Sequence, residues 1–222
     1  YSNEVYLKGK ENLQKLIKDE KFIQDKEEYL YIYAQTMFGR TQYGIVGCAA
    51  VDDYMNDVIK KHELTRPDKE EDRMNHIRVT NFNAEPVFFF FFYHKELEEI
   101  IREEVKKDPE YDFKTRDGVG HHFWIINDEA RIKHIVEIFS NDIPHTYVAD
   151  GHHRTAAAAL VGKERKMNNP DHRGDEEYNY FLAVHFPANH LRIIDYNRVI
   201  KDLNGHTPES FMEKLEKSFN LQ

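Results

Sequence analysis

The stretch YVADGHHRTAAAALVG, Tyr147–Gly162, joins an apolar segment to a run of alanines through five residues that are polar or glycine. Residues 147–149 predict the end of a buried strand, and residues 155–161 predict a helix with a small-residue face. Asp150–Arg154 between them form a strand-to-helix turn. A turn that only reverses the chain does not require this choice of residues, so the turn is a candidate functional site.

The residue types in the turn favour a phosphate group. Gly151 permits a sharp bend and the close approach of a ligand. The N–H groups that follow lie at a helix N-terminus, where they are unpaired and favour an anion. His152, His153 and Arg154 add side-chain donors, and an arginine can hold a phosphate through two parallel hydrogen bonds. Asp150 can cap the helix or hold a magnesium ion or a substrate hydroxyl.

Two other interpretations of the turn are open. The first is a capped helix whose histidines are surface or core residues without a ligand. The second is a metal site formed by His152 and His153, which is disfavoured because adjacent side chains diverge on a helix and no partner follows at i+4. We therefore predict no metal site built from protein ligands.

The composition narrows the class of protein. The chain has 222 residues, of which 40% are hydrophobic and 32% charged, as expected for a soluble globular protein. Its net charge of −9 argues against nucleic acid as a main partner. The longest apolar run, Val87–Tyr93, is far shorter than the ~20 residues of a membrane helix. The single cysteine, Cys48, agrees with the cytoplasm and is expected in the core, without redox chemistry.

The order of segments predicts a mixed α/β fold in one compact domain over residues 1–222. Alternating residues at 29–51 predict a hairpin with its turn at GRTQYG, which makes an all-parallel sheet unfavourable. A helix is expected to end at His62, a strand at LRII, and a solvated loop or mobile lid at residues 163–177. The chain begins at Tyr1 without a methionine, so we expect it to be a piece of a longer protein.

Four motifs carry a family resemblance: ADGHHR, KKHELTRPDKEEDR, EPVFFFF and HHFW. Together they resemble the bacterial and archaeal proteins grouped as domain of unknown function 1015, whose members are near twice this length. The ADGHHR turn is in turn similar to that of the ParB/sulfiredoxin-like fold, which includes the free-serine kinases. The resemblance implies a mixed sheet with flanking helices around a nucleotide-binding core.

The resemblance also implies roles for individual residues. Gly151 to Thr155 would hold nucleotide phosphates with Asp150 beside them, and ATP or ADP with Mg²⁺ would be the cofactors. Glu63, in the pair His62–Glu63, would be the catalytic base. Glu63 also belongs to a polar cluster at residues 62–73, which is either a solvated hinge with a capped helix or a part of the site in which Arg73 or Lys69 lines the phosphate path. Sulfiredoxin itself is excluded because its cysteine is missing from the turn. ParB is excluded because no DNA-binding helical domain and no basic surface are visible.

The function predicted from the sequence is therefore nucleotide or phosphate binding. The first hypothesis is a kinase-like phosphotransferase that acts on a small hydroxyl substrate, such as free serine. The alternative is a nucleotide-sensing or interaction protein that uses the same turn without turnover. In both, the partners are a nucleotide and a small molecule, with no nucleic acid and no membrane. His121 and His122 are expected to be ordinary residues at the start of a strand.

Overall fold

A computed structural model describes residues 2–221, which divide into two compact units with the boundary in sequence between Leu191 and Arg192. The first unit contains six helices and all of the strands of the described chain. Its helices are α1 (Asn3–Lys18), α2 (Val51–Met55), α3 (Pro67–Thr80), α4 (Lys95–Glu104), α5 (Glu129–Asn141) and α6 (His152–Asn168). The predicted mixed α/β fold is confirmed. A single domain over the whole chain stays a prediction.

Eight strands form one mixed sheet in the order β3-β7-β4-β8-β2-β1-β6-β5. The pairs β3–β7 and β4–β8 are parallel, and the other five pairs are antiparallel. The strands are β1 (Leu30–Met37), β2 (Arg40–Ala50), β3 (Ile59–Lys60), β4 (Val87–Phe91), β5 (Tyr111–Lys114), β6 (Gly120–Ile126), β7 (Thr146–Asp150) and β8 (Tyr180–Pro187).

The predicted hairpin is present as β1 and β2, but its turn is shorter than expected. Met37 pairs with Arg40, so the connection consists of Phe38 and Gly39 alone, both with positive φ (52° and 76°). Such a two-residue turn matches the right-handed twist of the strands on either side. Residues 40–44 of the expected turn belong to β2, because they continue the ladder with β1.

Helices α4, α5 and α6 pack on the same face of the sheet, since they contact strand residues of the same parity, and consecutive strand residues point to opposite faces. Ile45 joins a core cluster with residues of α4 and α5, whereas Val46 lies in a different cluster with Val184 and Phe186 of β8. A third cluster packs α6 against β4 and β7 through Ala158, Ala159 and their strand neighbours. The alanines thus bring α6 close to the strands that carry the turn, as the sequence predicts.

Cys48 is exposed, so its predicted place in the core is wrong. The side chain belongs to the same strand as buried Ile45 and Ala49 but has the opposite parity to both, which turns it to the face opposite α4, α5 and α6. Desolvation by neighbouring groups nevertheless raises the pKa of the thiol. Cys48 is therefore held as a thiol at neutral pH, not as the reactive thiolate.

Two further expectations about elements are corrected. The helix expected to end at His62 stops at Met55, where Asp57 with φ 59° turns the chain into β3. Residues 163–168 belong to α6 and not to a loop. Residues 169–176 form the expected loop, in which the Glu176 carboxylate accepts the N–H groups of Arg173 at 2.7 Å and Gly174 at 3.0 Å, and a mobile lid there stays a prediction.

The second unit consists of an irregular segment and one helix. The strand expected at LRII is absent, since residues 192–200 have no regular structure. Helix α7 (Pro208–Glu216) has an N-terminal cap, in which the Thr207 hydroxyl accepts the N–H of Ser210 at 3.3 Å. None of the helices in the described residues has the length and apolarity required to cross a membrane.

Candidate functional site

The turn has the conformation that its sequence predicts. Strand β7 ends at Asp150, Gly151 adopts φ 93° and ψ 29°, and α6 begins at His152. No side chain caps the helix, so Asp150 does not fill the capping role considered from the sequence. The first N–H groups of α6 therefore have no capping side chain, and they carry the partial positive charge of the helix N-terminus.

Gly151 is required by its conformation and by its neighbours. A Cβ atom there would lie 3.2 Å from Nη2 of Arg154 and 3.3 Å from Cγ1 of Val87. We expect Gly151→Ala to lower the free energy of unfolding by more than the ~1–2 kcal/mol that left-handed backbone alone costs. Gly118→Ala is the matched control, because Gly118 has φ 89° but its Cβ would meet nothing closer than 3.9 Å. Equal losses in urea unfolding would show that the close approach at Gly151 contributes nothing.

His152 is the buried member of the site. Its side chain is only 5% exposed, and its Nε2 atom is buried without a hydrogen-bond partner among the described residues. Glu63 places Oε2 3.3 Å from the Nδ1 atom, and the His62 ring lies edge-on at a centroid distance of 4.4 Å. Burial lowers the pKa of His152, nearby His62 lowers it further, and Glu63 opposes both. The imidazole is therefore neutral at pH 7.

The sheet explains how Glu63 reaches a turn that lies 87 residues further along the chain. Strand β3 runs parallel to β7, with Ile59 opposite Thr146 and Lys60 opposite Tyr147. The residues that follow β3 therefore continue beside the end of β7, where the turn begins. Glu63 therefore lies beside the turn, as predicted. The element that places it there is the two-residue strand β3, whereas the sequence predicted the end of a helix.

Arg154 connects the turn to a third segment. Its Nη2 lies 2.9 Å from Oδ2 of Asp150, and its Nη1 donates to the Pro86 carbonyl at 2.8 Å and lies 3.3 Å from Oε2 of Glu85. Strand β4 runs antiparallel to β7 with Phe88 opposite Asp150, which brings the residues before β4 to the turn. Glu85 carries no recognisable signal in the sequence, and its place beside Arg154 follows from the strand pairing.

His153 and Thr155 have different surroundings. His153 accepts the backbone N–H of Arg66 at its Nε2 atom, at 3.2 Å. In a neutral ring the proton then lies on Nδ1, which is left as a donor. Thr155 is fully buried, and both its N–H and its hydroxyl donate to the Gly151 carbonyl, at 2.8 and 2.9 Å. Thr155 thus holds the turn together and has no donor left for a ligand.

Arg73 and Lys69 both lie on α3, but only Arg73 lines a cavity next to the turn. Arg73 lines a cavity of about 120 Å³ whose wall also includes Arg154 and Glu85. Within residues 2–221, the side chains of Arg73 and Lys69 have no ion-pair or hydrogen-bond partner. Arg73 is therefore connected to the turn through the cavity it shares with Arg154, whereas nothing in the structure links Lys69 to it.

His121 and His122 have ordinary partners on neighbouring strands. Nδ1 of His121 lies 2.7 Å from the Tyr33 hydroxyl, and Nδ1 of His122 lies 3.1 Å from Oδ1 of Asp112. Within the part of the chain that the structure describes, no group of three or more His, Cys, Asp or Glu side chains is placed to hold a metal ion.

Comparison with known proteins identifies the family of the chain. The chain matches, over residues 1–222, the model of the family described as protein of unknown function (DUF1015). The chain therefore belongs to the DUF1015 family, as its motifs indicate. Comparison with the curated proteins and with the solved structures gave no match.

Proposed function

We propose that the start of α6 binds the phosphate groups of a nucleotide, ATP or ADP, and that the protein transfers a phosphoryl group to a small hydroxyl substrate such as free serine. The observation that carries the proposal is the uncapped N-terminus of α6, where Gly151 leaves the first N–H groups open to an anion. Nε2 of His152, buried beside it without a partner among residues 2–221, is an acceptor and suits the substrate hydroxyl or an ordered water. Buried polar atoms in native proteins are almost always satisfied by protein, water or ligand. The resemblance of the turn to the ParB/sulfiredoxin-like fold supports the same proposal.

The residues around the turn suit an anion. Gly151 has no side chain, so a phosphate can approach the free N–H groups of the helix. Nδ1 of His153 is available as a donor, and Arg154 contributes the positive charge, although it shares that charge with Asp150 and Glu85. A phosphate would compete with these two carboxylates for the guanidinium, which binds oxyanions in pairs of hydrogen bonds.

The His152–Glu63 pair supplies the acid–base chemistry. The carboxylate beside Nδ1 favours a proton there, which leaves Nε2 of the neutral ring as an acceptor. Glu63 itself is 56% exposed on its side chain, so it is accessible to a substrate hydroxyl. In the proposed reaction Glu63 takes the hydroxyl proton. Its contact with His152 fixes where the carboxylate lies, and His152 turns Nε2 toward a ligand or ordered water.

Magnesium fits the site as a companion of the nucleotide. Mg²⁺ is bound in such sites by one or two carboxylates together with substrate phosphates and water. Asp150 is 73% exposed and uses only Oδ2 for Arg154, so it would hold the ion. The ion would neutralise charge on the transferred phosphoryl group, as in other phosphoryl-transfer enzymes.

The alternative function is nucleotide sensing without turnover. The observation that favours it is the pairing of the charged residues, since Glu63 already contacts His152, and Arg154 already contacts two carboxylates. In a sensor, a bound phosphate would replace the carboxylates as the partner of these residues. The resulting change of contacts would be the signal.

One experiment separates the two functions. ATP and ADP with Mg²⁺ are titrated into the protein by calorimetry, and phosphoryl transfer from each is measured in parallel against a panel of hydroxy amino acids. Binding with transfer supports the phosphotransferase, and binding without transfer to any acceptor supports the sensor. Absence of binding by both nucleotides would refute the site at the turn.

A further inference from the structure

The cavity that Arg73 shares with Arg154 is small and is lined by both apolar and charged side chains. It lies between α3 and α6, its volume is about 120 Å³, and its floor is apolar, formed by Val87, Ala158 and Phe181. This volume is well below the ~300–1,000 Å³ of pockets that enclose drug-sized ligands. A nucleotide therefore does not fit in the cavity, but a molecule with a few non-hydrogen atoms does.

Charges of both signs surround this apolar floor. Arg73 and Arg154 line the cavity together with Glu85. Arg154 is shared between the carboxylates of Glu85 and Asp150, so these three groups together carry one excess negative charge. Arg73, which has no side-chain partner among the described residues, carries one unmatched positive charge. The four groups sum to zero, with the two unmatched charges on different side chains.

Each unmatched charge fits one end of a zwitterion. The planar guanidinium of Arg73 matches a carboxylate through two parallel hydrogen bonds. Glu85 contacts Arg154 with Oε2 at 3.3 Å, and a carboxylate has about four lone-pair sites, which leaves room for an ammonium group. A free phosphate or another dianion would meet Arg73 favourably but would be repelled by Glu85. The arrangement therefore favours a small molecule that carries both charges.

We propose that this cavity binds a small zwitterion of amino-acid size, with Arg73 on the carboxylate and Glu85 on the ammonium group. Its role as the phosphoryl acceptor rests on the proposed function, whereas its binding does not. Arg154 both lines the cavity and belongs to the turn, so a ligand in the cavity lies next to the phosphate-binding residues. Arg73 and Glu85 then determine which acceptor molecule is bound.

The test uses three probes and three variants, without nucleotide. L-serine carries both charges, L-serine methyl ester lacks the carboxylate, and N-acetyl-L-serine lacks the ammonium group. Binding is measured by ligand-observed NMR to the unaltered protein, Arg73→Ala, Glu85→Gln and the control Arg116→Ala, which removes an exposed arginine far along the sheet. Circular dichroism checks that each variant is folded.

We expect L-serine to bind, and Arg73→Ala and Glu85→Gln each to weaken it by about tenfold or more, with Arg116→Ala unchanged. Arg73→Ala should not change the affinity for the methyl ester, because that probe lacks the carboxylate. Glu85→Gln should not change the affinity for the N-acetyl compound, because that probe lacks the ammonium group. Failure of L-serine and of a panel of the small L-amino acids to bind would overturn the inference, as would equal losses for all probes. Nucleotide titrations of the same variants report on the turn, so the two proposals fail separately.

Discussion

Arg154→Ala is expected to weaken nucleotide binding by about 10- to 150-fold, the effect of losing ~1.5–3 kcal/mol of hydrogen bonding to a charged group. The structure gives a second reason for a large effect. Arg154 partly neutralises Asp150 and Glu85, at 2.9 and 3.3 Å, and its removal leaves two uncompensated carboxylates beside the phosphate. Calorimetry with ATP and Mg²⁺ measures the change directly.

The control for this prediction is Arg102→Ala. Arg102 is 67% exposed on its side chain and lies on α4, where its nearest carboxylate is Glu98 at 3.9 Å. Its removal changes the net charge by the same amount without touching the turn. An affinity that is unchanged in Arg154→Ala, or lowered equally in both variants, would show that phosphate does not bind at the start of α6.

Glu63→Gln is expected to abolish most phosphoryl transfer and to leave nucleotide affinity nearly unchanged. Glutamine preserves the size of the side chain but cannot accept a proton, and general-base catalysis contributes about 10²–10⁴-fold to a rate. The carboxamide oxygen can still face Nδ1 of His152, so the turn keeps its shape. Single-turnover transfer from ATP to L-serine measures the loss, and calorimetry measures the affinity.

Two outcomes decide the role of Glu63. Transfer at the original rate in Glu63→Gln would mean that another group takes the proton, and Nε2 of His152 would be the first candidate. A loss of affinity as large as the loss of rate would make Glu63 a binding residue. Glu129→Gln, a remote change on α5 with the same loss of charge, should alter neither quantity.

The parts of the fold that sequence could predict are those specified by local patterns. The strand-turn-helix of residues 147–162 follows from an apolar segment, a glycine and a run of alanines, and β1 and β2 follow from alternation. Strand β3 could not be predicted, because two residues carry no periodicity and exist as a strand only through their pairing with β7. Cys48 was misplaced because an apolar run does not reveal which face of a strand packs against α4, α5 and α6.

The residues of the candidate site also fall into two groups, those that local sequence indicates and those that only the strand pairing places there. Gly151, His152, His153 and Arg154 could be found from sequence because they are adjacent and precede a helix. Glu63 was proposed from the family resemblance, and its place beside His152 depends on a parallel strand pairing. Glu85 was missed, since its contact with Arg154 follows from the register of β4 against β7, which no local pattern specifies.

The position of β7 between a parallel and an antiparallel neighbour has a consequence for how the protein acquires its site. Contacts between residues that are far apart in sequence carry a loop-closure cost that is met only as the chain folds. Residues 62–66, 85–86 and 150–154 come together only when β3 and β4 have both docked on β7. An isolated peptide that contains ADGHHR lacks these partners. During synthesis the site cannot form before the ribosome has released the whole segment through α6, so the proposed ligand could not bind a shorter nascent chain.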